Sequence, residues 1–76
     1  MKELLEIIAK SLVDHPEDVS VSEVDGEQSI ILELRVHADD MGKVIGKQGR
    51  IAKSIRTVVK AAASKENRRA VVEIIQ

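Results

Sequence analysis

The groups in this chain that could do chemistry are concentrated in Val44-Ile45-Gly46-Lys47-Gln48-Gly49-Arg50-Ile51. Two glycines separated by Lys47 and Gln48 form a G-x-x-G turn, with an apolar helical pattern running in and a longer one running out. A residue without Cβ populates positive φ cheaply and lets another chain come close, and the N–H groups opening the helix after Gly49 lack partners within it. Those groups and the helix dipole favour an anion, and Lys47 and Arg50 add full positive charge at the same place. Phosphate is the anion this chemistry fits. The alternative, a tight helix-helix connection that binds nothing, has no need of so much flanking positive charge.

Other reactive residues give no second site. His15 and His37 lie far apart in sequence, with no Cys or paired carboxylate at ligand spacing, so neither is expected to hold a metal or act in catalysis. Asp39-Asp40 reads as a helix cap rather than an acid/base pair. Gly42 to Gln48 has the outline of a P-loop, but with one residue too few between its glycines and Gln48 where Ser or Thr should follow the lysine. No nucleophile-base arrangement supports an enzyme, and no cofactor or small-molecule substrate is expected.

The 76 residues leave room for one domain spanning 1–76 and one modest core. There is no Cys, hence no disulfide staple or usual structural zinc site, and a reducing cytoplasm is the natural setting. Glu3 and Glu6 break the basic-then-apolar order of a signal peptide, and no apolar run approaches membrane-spanning length, so no membrane association is expected. Phe, Tyr and Trp are all absent, which excludes base stacking on aromatic side chains. The formal net charge of −1 hides a bipolar chain. Residues 1–40 set three Lys and Arg against eleven acids, net −8, whereas residues 41–69 set nine against Glu66 alone, net +8. The glycine turn lies in the basic half.

The surrounding pattern supplies the elements that must hold this turn. Leu4, Ile8 and Leu12, joined by Leu5, Ile7 and Val13, recur at helical spacing and predict a first helix ending before Pro16. Val19, Val21 and Val24 predict a strand, and Asp25-Gly26 is a two-residue hairpin signal. Ile30, Leu32, Leu34 and Val36 alternate with Ile31, Glu33, Arg35 and His37, the pattern of a strand with one buried face, paired antiparallel with the first. Asp39 or Asp40 can cap a short helix containing Met41, Val44 and Ile45, with Gly46 at its left-handed end. After the turn, Ile51, Ile55, Val58, Val59 and Ala62 fall in one arc at about 100° per residue, with Arg50, Lys53, Arg56, Thr57 and Lys60 opposite. Lys65-Glu66-Asn67 breaks this helix, and Ala70 to Ile75 reads as a final strand. The order is α-β-β-α-α-β. It predicts an α+β fold, with three helices covering one face of a three-stranded sheet in which the last strand has a parallel neighbour.

With helix, G-x-x-G and helix placed, the sequence resembles a KH domain, in the type II rather than the type I order. Gly42-Lys43-Val44-Ile45-Gly46-Lys47-Gln48-Gly49-Arg50-Ile51 is similar to the KH signature V-I-G-x-x-G-x-x-I, although the apolar residue comes early at Ile51, with Ile55 one turn later. Over essentially its whole length the chain resembles the small bacterial KH proteins of the KhpA family. That resemblance implies a type II KH fold with a mixed sheet, binding of single-stranded RNA, and self-association or pairing with a second KH protein of the KhpB (Jag or EloR) type. It also implies RNA-chaperone or post-transcriptional roles, and links to cell-division, cell-shape or envelope control.

Carried over position by position, the resemblance makes Gly46, Lys47, Gln48 and Gly49 a clamp on about four nucleotides of sugar-phosphate backbone. Gly42 would leave a small surface over which a base can lie. Ile45 and Ile51 would line the groove, or serve as core. Ile31, Glu33 and Arg35 of the second strand would supply its far wall. Lys43, Arg50, Lys53 and Arg56 would add phosphate contacts, or with Lys60 form an ordinary solvated face. Arg68 and Arg69 are assigned to acidic neighbours at the strand end. Two functions stay open at this stage: a non-catalytic RNA-binding module, and an adaptor acting through dimerisation with its nucleic-acid groove vestigial. For the adaptor, the aliphatic third helix offers a contact surface.

Overall fold

In the computed structural model, which describes residues 1–75, the elements are α1 (Lys2–Leu12), β1 (Ser20–Asp25), β2 (Ser29–Arg35), α2 (Met41–Ile45), α3 (Arg50–Ser64) and β3 (Arg69–Ile75). Single 3-10 turns stand at Pro16–Asp18 and Ala38–Asp40, and Lys47–Gly49 is a tight turn between the last two helices, non-helical at Gln48. This is the expected α-β-β-α-α-β order. β2 is the central strand, antiparallel to β1 (Val21 opposite Leu34) and parallel to β3 (Leu32 opposite Val72). Parallel neighbours need a long crossover, and α2, the glycine turn and α3 together provide it.

The alternation in β2 explains its place. Ile30, Leu32 and Leu34 are buried, and the residues between them point to the other face of the sheet. The buried face meets Leu5 and Ala9 of α1, Val44 of α2, and Ile55, Val59 and Ala63 of α3, with Ala70 and Val72 completing the layer from β3. Each large aliphatic side chain removed from water contributes about 1.5–3 kcal/mol. With no Phe, Tyr or Trp to fill space, the layer is built of aliphatic side chains alone, with Ala9, Ala63 and Ala70 among the buried contact positions.

Three local expectations are corrected. The buried seam of α1 is Leu5-Ala9 rather than Leu4-Ile8-Leu12, and Ile7 is exposed. On α3 the seam is Ala52-Ile55-Val59-Ala63, which leaves Val58 47% exposed on the flank toward α1. In both helices bulky residues drew the predicted stripe toward themselves, whereas small ones occupy the closest contacts. The hairpin reverses through Glu27-Gln28 instead of Asp25-Gly26, because Asp25 still pairs with Ile30 and the Gly26 N–H donates to the Ser29 carbonyl at 2.7 Å. Gly26 does not use positive φ. α3 stops where Asn67 takes φ 58, and the Arg68 N–H reaches back to the Ala63 carbonyl at 3.0 Å. This back-bonded left-handed residue is a common helix terminator, and Asn tolerates it better than most.

Candidate nucleic-acid interface

α2 ends because Gly46 leaves the helix with φ 75 and ψ 176, while its N–H still donates to the Gly42 carbonyl at 2.9 Å. That backbone state is open in practice only to glycine. A Cβ at Gly46 would also stand 2.5 Å from Ile51 Cγ1, so packing and backbone exclude a side chain together. The expectation of a left-handed helical Gly46 is therefore corrected: its φ is positive but its ψ is extended. The left-handed helical residues are Gln48 (φ 55, ψ 26) and Gly49 (φ 73, ψ 15). Around Gly49 there is open space, and only its φ calls for glycine.

The amides of this turn are less free than the sequence implies. The Gly49 N–H donates to the Gly46 carbonyl at 3.2 Å, and the Arg50 N–H donates to the Lys47 carbonyl. What the corner offers a ligand is a close-approach surface with Lys47, Gln48 and Arg50 exposed around it. The Arg50 guanidinium reaches Gln48 Oε1 only at 3.4 Å, and among the described residues no carboxylate pairs with Lys47, Arg50 or Lys53. An incoming phosphate meets cations that need not first leave an internal partner.

The other predicted residues divide. Gly42 is exposed on α2 with nothing within 4 Å of its Cβ direction, leaving a bare patch of helix. Ile45 and Ile51 are half-buried and pack on the core, so they form the floor beneath the turn as well as its apolar rim. Lys53 is exposed on the flank of α3. Two of the expected phosphate contacts have partners within the chain. Lys43 is held by Asp14 at 3.1 Å, and its hydrogen bond and charge attraction to that carboxylate raise its pKa above the usual lysine value. Arg56 is half-buried, its Nε donating to the Val72 carbonyl at 3.2 Å, which pins α3 to β3.

The far wall is also corrected. Both edges of β2 are hydrogen-bonded, to β1 and to β3, and Ile31, Glu33 and Arg35 lie on the face of the sheet turned away from the helices. The strand beside the helix pair is β3, at the edge of the sheet, with α3 lying along it. The predicted parallel neighbour carried this information, since two strands parallel across a helical crossover leave the second as an edge when the first already pairs with a hairpin partner.

Asp40 was missed. It does not cap α2; its carboxylate, 1% exposed, accepts from the Asp14 N–H (3.2 Å), the His15 N–H (3.0 Å) and His15 Nδ1 (3.0 Å). The capping acceptor of the preceding 3-10 turn is instead His37 Nδ1, which receives the Asp39 N–H at 3.0 Å. The two imidazoles, far apart in sequence, stack with centroids 4.1 Å apart. The hydrogen bond to Asp40 raises the His15 pKa, against a smaller lowering by burial. For Asp40, burial pushes the pKa up, but the Asp14 amide and the His15 ring and amide together bring it below the ordinary carboxylate value. Among the described residues no three His, Cys, Asp or Glu side chains could share a metal ion. No sequence signal links Asp40 to residues 25 positions earlier.

Residues 2–74 match the family model described as "KhpA/KhpB, KH domain", nearly the whole chain and the whole of this helix-turn-helix. The chain belongs to the KhpA/KhpB family of KH domains. Relatives named "RNA-binding protein KhpA" are 80% identical in Clostridium perfringens and 79% in Clostridium acetobutylicum, each match covering 99% of this chain and 100% of the relative. A protein of the same name in Aquifex aeolicus is 46% identical, covering 100% of this chain and 96% of the relative. No solved structure matches the chain significantly. Among the described residues no helix is long and apolar enough to cross a membrane. KhpA/KhpB membership agrees with the element order found here, β2 to β3 being the helical crossover that carries the glycine turn.

Proposed function

We propose that this chain is a non-catalytic, single-stranded RNA-binding protein of the cytoplasm, and that Gly46-Lys47-Gln48-Gly49 clamps the sugar-phosphate backbone. The observation that carries this reading is the turn itself. Gly46 occupies a glycine-only backbone state, and Lys47 and Arg50 beside it have no acidic partner among the described residues. Gly42 gives a base a bare helix surface, Ile45 and Ile51 the apolar floor, Lys53 a further phosphate contact, and the β3 edge the opposite wall. Lys43 and Arg56 serve the scaffold first. The name shared by relatives up to 80% identical supports RNA as the ligand.

One observation favours a second reading, association through the α1–α3 face. Ile8, Leu12, Ile51 and Val58 line an apolar hollow of about 380 Å³ that none of the described residues fills. A second copy, or a KH protein of the KhpB type, would cover it, making the working unit a homodimer or a mixed pair. One experiment separates the readings: sedimentation of the wild type and of a Lys47→Asp, Gln48→Asp double variant, with and without a short RNA at low salt. The RNA-binding reading expects a complex with the wild type, none with the variant, and identical circular dichroism. A tight protein dimer, with RNA bound equally by both proteins or by neither, overturns the clamp and leaves the adaptor.

A further inference from the structure

α3 has two unlike flanks. One, carrying Val58, faces α1; the other carries Lys53, Arg56 and Lys60 and runs beside the edge strand β3, to which Arg56 is tied through the Val72 carbonyl. At the end of this flank remote from the glycine turn, Lys60, Arg68, Arg69, Ala70 and Val71 line a hollow of about 400 Å³. A neighbouring hollow of about 520 Å³ shares Arg68 and Arg69 and is completed by the polar side chains of Gln28, Ser29, Ser64 and Asn67.

The cations here are unequally engaged. The Arg68 guanidinium is taken up by Asp25 and by the Gly26 and Ser29 carbonyls at 3.2 and 3.3 Å. Its Nε is buried and has no hydrogen-bond partner among the described residues. Lys60 and Arg69 are exposed and pair with no carboxylate among the described residues, although the chain has 13 acidic side chains against 12 Lys and Arg. Glu66 and Glu73 are the nearest acids in sequence, and neither lines the hollows. Unpaired cations at both ends of one helix flank, beside an edge strand, form a track.

We infer that Lys60 and Arg69 form a second phosphate subsite, so that an RNA strand held at the glycine turn continues along the α3–β3 edge. This rests on the RNA-binding reading above. From Lys53 to Lys60 the helix rises about 10 Å, which a stacked strand covers in roughly three nucleotides beyond the clamp. Val71, exposed at the lip of the hollow, gives a base an aliphatic surface in a chain that has no Phe, Tyr or Trp.

The test compares oligouridylates of four and ten nucleotides, binding to wild type, Lys60→Gln/Arg69→Gln, and a Lys2→Gln/Lys10→Gln control with the same net charge. Each released contact to a single strand lowers the slope of log affinity against log salt by about 0.7. The Lys60→Gln/Arg69→Gln variant is expected to lose about 1.4 of slope and about tenfold in affinity for the ten-mer at low salt. Its binding of the four-mer, followed by amide shifts at Gly46 to Gly49, should stay unchanged, and the control should match wild type. Equal losses for both lengths, no loss for the ten-mer, or the same loss in the control each overturns the track. Failure of the clamp is distinguishable: the Lys47→Asp, Gln48→Asp variant would then bind the four-mer as wild type does.

Discussion

The two ends of α2 handle negative charge in opposite ways. At its start, Asp40 is sealed from water and answered from within by two backbone N–H groups and an imidazole. At its end, the backbone turns through Gly46 and Gly49, and among the described residues Lys47 and Arg50 have no carboxylate partner. The chemistry at both ends is donors and cations arranged for oxygen. Where the chain supplies the oxygen, the arrangement fastens the loop after α1 to α2; where it does not, the arrangement is the one proposed above to take the phosphates of RNA. A helix of five residues has little stability of its own, so the first end fixes the position of the second.

Gly46→Ala breaks the comparison most severely. The Cβ meets Ile51 and the φ, ψ pair is closed to alanine, so the turn rearranges at a cost of about 3 kcal/mol, read as a lower midpoint in urea unfolding. Gly49→Ala, with space around it, should cost only about 1 kcal/mol. Equal midpoints for the two would mean that the Ile51 contact does not matter.

The other end is sharpened by pH. His15 has its pKa raised above the ordinary 6.5, so its contribution to stability is complete below that value and is lost as pH rises through the raised folded value. Asp40 has its pKa lowered from 3.8, so its contribution is present above that value and is lost as pH falls through the lower folded one. Asp14, Lys43, His37, Glu17 and Asp18 surround the pair. Thermal midpoints of the wild type should therefore fall from pH 6 toward pH 9 more steeply than those of His15→Gln. Parallel profiles would remove His15 from the account.

The smallest effect separates stability from binding within one turn. Gln48 sits at positive φ without being glycine, and Gly42 sits in a helix where alanine would be preferred. Gln48→Gly and Gly42→Ala should each stabilise the chain by up to about 1 kcal/mol. Gly42→Ala, which puts a methyl on the bare patch of α2, should also weaken RNA binding in a fluorescence titration. Unchanged affinity would remove that surface from the groove.

The sequence was most legible where one periodicity acted alone. β2 alternates cleanly, and its buried Ile30, Leu32 and Leu34 lie where the pattern put them. The glycine turn was legible because only a special backbone explains two glycines between two helices. The helices were found, and Leu5, Ile55 and Val59 of their seams with them, but the buried alanines Ala9, Ala52 and Ala63 were not, because hydrophobicity scores Leu12 and Val58 above alanine. Lys43 and Arg56 were read by charge alone, and their partners, Asp14 and the Val72 carbonyl, come from other elements. Asp40 looked like a cap because the sequence around it fits one, and its real partners arrive through tertiary folding. Local chemistry was readable and pairing at a distance was not.

The bond from Arg56 to Val72 has a consequence beyond joining a helix to a strand. β3 is an edge strand reading Ala-Val-Val-Glu-Ile-Ile, the composition from which intermolecular ladders and fibrils are built. A guanidinium laid across its outer carbonyl occupies an acceptor that a neighbouring molecule would need, and Glu73 puts a charge in the same run. The arginine that the sequence assigns to phosphate thus guards the molecule against its own kind.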